Sequence, residues 1–166
     1  MGVNTGAKVK SVPARSGRSV SLLGCGITLL DEPAENDDAL LLFEGRTASA
    51  GMIPPHREEN HEAFYILEGE FELEIEGEPQ RCEAGDFLSI QPGVLHEVRN
   101  IAPDWGRIMF VASPGRGHQR FFETLGEPLE PGADPPPLTE PPDFERIAAV
   151  GRTNGIHFLP PAEARG

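Results

Sequence analysis

The stretch Glu70-Phe71-Glu72-Leu73-Glu74-Ile75-Glu76 places an acid at every even position and an apolar residue at every odd one. A period of two is the period of an extended strand, and no helix can sort such residues onto one wet and one dry face. Turn signals bracket it, Leu67-Glu68-Gly69-Glu70 before and Glu76-Gly77-Glu78-Pro79 after. The chain must therefore build at least a β-meander here. Further short β-prone runs recur between turn residues at Gly26–Leu30, Leu40–Glu44, Ala63–Leu67, Phe87–Ile90, His96–Arg99 and Ile108–Ala112. With 19 Gly and 17 Pro in 166 residues, many turns and few long helices are expected, in a mostly β sandwich or barrel.

The chain divides into an N-terminal arm (1–19), a β-barrel body (20–113) and a C-terminal tail (114–166). The arm carries Lys8, Lys10, Arg15 and Arg18 without an acid and reads as a solvated tail. Everything after residue 18 sums to −17 within a net charge of −13. That balance argues against nucleic acid or an anionic membrane surface and for a small neutral or weakly charged ligand. Only Cys25 and Cys82 are present, without a CxxC pair or an apolar segment long enough for a leader or span. Free thiols and a cytoplasmic location are expected. In the tail, Gly117–Leu125 reads as a short helix with Phe121, Phe122 and Leu125 on its apolar face. Residues 127–142 hold seven of the prolines and read as an extended connector. A last helix is expected from Asp143 as N-cap through about Arg152. His118 and His157 stand in this tail with no partner at ligand spacing. No serine-hydrolase, P-loop, dinucleotide or HExxH pattern occurs.

Two segments carry chemistry. In an extended Pro54–Gly69 segment, His56, Glu58 and Glu62 share one face, and His61 points the other way unless a bulge intervenes. From Gly85 to Asn100, a strand, a Pro92-Gly93 turn and a returning strand bring His96 back inside. Imidazoles and carboxylates from neighbouring strands in a dry interior suit a borderline divalent metal such as Zn, Fe, Ni or Mn, and three protein ligands leave positions open for chemistry.

These segments resemble the paired cupin motifs, G-x5-HxH-x3,4-E-x6-G and G-x5-PxG-x2-H-x3-N. His56, Glu62 and Gly69 match the first, while Gly85, Gly93, His96 and Asn100 match the second, with Gln91 in place of its proline. The resemblance implies a jelly-roll-like double-stranded β-helix barrel that pairs as a homodimer. Glu62–Glu70 and Arg120–Pro128 further resemble small single-cupin proteins of the quercetin 2,3-dioxygenase type. In those dioxygenases three His and one Glu bind the metal, a flavonol binds at or near it, and the Glu accepts a proton. Carried onto this sequence, His56, Glu62 and His96 become metal ligands and Glu62 the base. The second His of the motif falls on Glu58. Either Glu58 is a ligand in a His2Glu2 site, which favours a harder metal such as Mn or Fe, or His61 enters by a local shift, or the centre is metal-free. Two other functions fit the same barrel. One is an isomerase, cyclase or dehydratase using Glu58 and His96 for proton transfer; the other is a non-catalytic small-molecule-binding module.

Overall fold

The computed structural model describes residues 9–160. Twelve strands and two helices follow one another: β1 (Arg18–Leu22), β2 (Cys25–Asp31), β3 (Leu41–Thr47), β4 (Met52–Glu58), β5 (His61–Glu68), β6 (Glu70–Ile75), β7 (Glu78–Glu83), β8 (Phe87–Ile90), β9 (His96–Asn100), β10 (Gly106–Ser113), α1 (Arg116–Leu125), β11 (Glu127–Leu129), α2 (Phe144–Thr153) and β12 (Ile156–Phe158). They form two antiparallel sheets, ordered β11-β1-β2-β3-β10-β5-β8 and β12-β4-β9-β6-β7. The expected barrel is thus a jelly-roll sandwich with open edges, and both short tail helices are present.

The Glu70–Glu76 alternation is realised in β6, which lies between β7 and β9. Phe71 and Leu73 face inward and are fully buried beside Phe64, Ile66, Leu29 and Leu41. Each such side chain removed from water contributes about 1.5–3 kcal/mol, so this inner layer carries much of the stability. Phe43 stacks on Phe110 at 4.8 Å between ring centroids, and Phe64 meets Phe110 edge-on at 4.8 Å.

The chain changes sheets at two tight corners. Gly69 alone separates β5 from β6, with a φ of +90°, and a Cβ there would stand 3.0 Å from the Gly106 Cα. Glycine therefore suits both the dihedral and the packing at this corner. Glu59 and Asn60 alone separate β4 from β5, so His56 and Glu58 lie on one sheet and Glu62 on the facing one. The Pro54–Gly69 segment is consequently two strands and a corner rather than one extended strand.

Asn100 ties a third turn region together. Its Nδ2 donates to the carbonyls of Thr47, Ala48 and Asp104 at 2.8–3.1 Å, and its Oδ1 accepts from the Ala102 amide at 3.0 Å. A sequence-motif residue is here a structural clamp.

Residues 9–18 are largely exposed, with basic side chains that reach the body; Met1–Lys8 are outside the described residues. Lys10 pairs with Glu35, Arg15 donates to the Gly132 carbonyl, and Arg18 reaches Glu32 and Glu123. β11 extends one sheet beyond β1, and β12 extends the other beyond β4, so the tail is woven into both. Cys25 and Cys82 are free. Among the described residues no helix is long and apolar enough to cross a membrane.

Candidate metal centre

β4, β5 and β9 converge on one buried point. His56 and His96 are register partners across β4 and β9, with ring centroids 4.3 Å apart, and Glu58 and Glu62 approach from the two sides of the corner. One potential ligand atom from each of His56, Glu58, Glu62 and His96 lies within 4.8 Å of all the others, and all four residues are at least 95% buried. The structure therefore brings together every residue of the expected ligand set. His61 stays outside, its Nε2 2.8 Å from the Ser89 Oγ on the outer face, so no local shift brings it in.

The hydrogen bonds fix which nitrogen each ring presents. His56 Nδ1 donates to the Pro54 carbonyl at 2.7 Å and His96 Nδ1 to the Val94 carbonyl at 3.0 Å. In the neutral rings both Nε2 atoms are bare lone pairs turned inward. His56 Nε2 then faces Glu58 Oε1 at 3.1 Å, and His96 Nε2 faces Glu62 Oε2 at 3.3 Å. Lone pairs facing lone pairs need a proton or a metal cation between them. His96 Nε2 and Glu62 Oε2 are both buried without a hydrogen-bond partner among the described residues. Two oriented imidazoles, two carboxylates and orphaned acceptors are the donor set that a divalent metal fits.

Electrostatics drive the two carboxyls apart. Burial pushes Glu62 well above the usual carboxylate range, and the charge of Glu58 adds to the shift. Burial also opposes ionisation of Glu58, but contacts with His118 and His56 outweigh it and hold that carboxyl well below its usual range. Burial lowers His96 and so keeps its ring neutral.

The sequence reading missed two members of this site. His118, expected to stand alone in the tail, is 97% buried, with its Nε2 2.9 Å from Glu58 Oε1 and 3.8 Å from Glu62 Oε1. It reaches the centre because α1 packs Phe122 against Phe43 and Phe121 against Phe158. The available signal was helical spacing: residue 118 precedes 121 and 122 by three and four and so shares their apolar face. Asn60 in the corner donates to Glu58 Oε2 at 3.3 Å. His157 lies outside the cluster, its Nε2 2.8 Å from Glu59 Oε1 at the surface. Asp38 accepts from the backbone amide of Arg116 at the start of α1.

A cavity of about 100 Å³ lies between the sheets. Its walls include Leu22, Ile27, Phe43, Ile53 and Phe110, and its polar surface includes His56, Glu58, Glu62 and His118.

The double-sheet jelly roll thus encloses a buried His2Glu2 cluster with the donor set of a candidate metal site. Residues 46–112 match the cupin domain model. The quercetin 2,3-dioxygenase of Bacillus subtilis (strain 168) is 25% identical over 124 residues, which cover 75% of this chain and 36% of that protein. The match thus spans little more than a third of that relative's length. A predicted oxalate decarboxylase from Thermotoga maritima superposes with a TM-score of 0.58 at 18% identity, covering 63% of this chain and 98% of that one. The polyketide cyclase RemF from Streptomyces resistomycificus gives 0.57 at 20%, covering 76% and 89%. The structural likenesses establish the fold.

Proposed function

We propose that the chain is a cytoplasmic, metal-dependent dioxygenase acting on a small aromatic enol. The observation that carries this reading is the pair of Nδ1-anchored imidazoles facing two carboxylates, with His56, Glu58 and Glu62 lining an apolar cavity. The similarity to a quercetin 2,3-dioxygenase supports it. His56, Glu58, Glu62 and His96 would hold Mn or Fe, harder metals suited to two carboxylates. Such a metal supplies a Lewis acid that stabilises an enolate oxygen. Glu62 takes the proton of the substrate hydroxyl, and the surrounding phenylalanines exclude bulk water. The cavity is smaller than the roughly 150 Å³ apolar cavity that admits a benzene molecule, so it suits one ring rather than a three-ring flavonol unless its walls move. Oxygen uptake by Mn- or Fe-loaded protein tests the proposal on a panel running from single-ring enols to flavonols. Consumption on single-ring compounds is expected; none across the panel would sink the dioxygenase reading.

A second reading, metal-independent proton transfer, is favoured by the opposed shifts of Glu58 and Glu62, which resemble an acid/base pair. Turnover that survives both chelator and anaerobic conditions would select it. We also propose a second copy of the chain as partner. Tyr65 and Phe87 are cross-strand neighbours on the outer face, exposed at the edge of the larger sheet. Light scattering should give twice the chain mass, and a monomer mass would contradict this.

A further inference from the structure

The three histidines around Glu58 and Glu62 divide by where their protons sit. His56 and His96 commit Nδ1–H to backbone carbonyls and turn lone pairs inward. His118 is the reverse: its Nδ1 has no partner among the described residues, and its Nε2 contacts Glu58 Oε1 at 2.9 Å. A proton on His118 Nε2 is therefore a donor aimed at a carboxylate, whereas the other two rings present ligand nitrogens.

Glu58 is also the member of the set with most to gain from being held. It ends β4, next to the corner, and its carboxylate would otherwise turn about three side-chain bonds. Asn60 holds Oε2 at 3.3 Å, and His118 holds Oε1 from the opposite element. The ring is gripped in turn, with centroids 6.1 Å from Phe43 and 5.9 Å from Phe122.

We propose that His118 is a positioning residue of the metal centre. By donating Nε2–H to Glu58 it holds that carboxylate in its ligand orientation, so the seating of α1 and the assembly of the centre are coupled. This rests on the metal reading above. A carboxylate–histidine contact outside the ligand set orients the ligand, and losing such a partner costs about 10–100-fold in metal affinity.

The test is Co²⁺ titration of the full chain after chelator treatment, by calorimetry and by the visible d–d spectrum, for wild type, His118→Phe and His118→Gln. Phe keeps the aromatic packing and loses the donor; Gln sacrifices packing and keeps an amide donor. If His118 positions Glu58, Phe binds about 10–100-fold more weakly with an altered spectrum, and Gln binds more tightly than Phe. If the ring serves only to seat α1, that order reverses. Circular dichroism screens folding, and His118→Leu replaces the Phe variant should that one not fold. A Phe variant indistinguishable from wild type, or a Gln variant no better than Phe, overturns the positioning role and leaves the four-residue centre standing. Wild type that takes up no Co²⁺ overturns the metal reading and this inference together.

Discussion

Glu62→Gln should leave the metal-free protein at least as stable as wild type while removing most of the stabilisation that metal confers. The substitution keeps the side-chain volume and replaces a buried acid with a neutral amide. Without metal, burial and the charge of Glu58 raise the Glu62 carboxyl well above its ordinary range. The folded chain then keeps a proton that the unfolded chain gives up above about pH 4.3, so Glu62 costs stability as pH rises past that value, by about 1.4 kcal/mol per pH unit until its folded pKa is reached. Gln removes that cost. With metal the sign inverts, because an anionic ligand is gone; if losing an outer partner already costs about 10–100-fold, losing a ligand costs about 100-fold or more. At a metal concentration of about 100 times the wild-type Kd, wild type gains about 2.7 kcal/mol and the variant about 0.4. At about 2–4 °C per kcal/mol for a chain of this size, wild type should shift by about 5–11 °C and the variant by about 1–2 °C. Thermal melts after chelator treatment, with and without Mn²⁺, measure both arms. A Gln variant with the full wild-type shift, or one that is clearly less stable than wild type when metal-free, refutes the reasoning.

Two further outcomes follow from the geometry. Burial lowers the His118 pKa, but Glu58 and Glu62 outweigh it and raise the ring above the ordinary value of about 6.5. A raised folded pKa gives stability that is complete below the unfolded value and lost as pH rises through the folded one, so the metal-free protein should weaken from about pH 6.5 upward. Urea midpoints that climb over that range would contradict this. Asn100→Asp puts an oxygen where Nδ2 now meets three carbonyls at a site 1% exposed, and should cost about 3 kcal/mol or more in urea unfolding; a cost below about 1 kcal/mol would show that the clamp is not holding the turn.

Some of this was readable because one face of a strand is dry. Phe71 and Leu73 followed directly from the acid–apolar alternation, and the helix around Phe121 followed from its apolar face and Gly126. β7 was not readable, because as an edge strand it buries only Cys82 and shows no apolar period. β4 was disguised by Pro54 and Pro55, which the fold accommodates with a register shift between Ile53 and His56. β12 is three residues long, and its pairing with β4 spans about a hundred residues that no local pattern encodes. In the site, spacing found His56, Glu58, Glu62 and His96 but left Glu58 and His61 as alternatives. The choice depended on a two-residue corner between sheets, and His118 on the docking of the tail, both of which are tertiary facts.

The most direct test of the metal centre is elemental analysis of freshly purified, untagged protein beside His96→Ala. The account predicts close to one Mn or Fe per wild-type chain and its loss from a folded His96→Ala variant. Wild type without metal, or a variant that retains it, would contradict the assignment of His56, Glu58, Glu62 and His96 as the ligands.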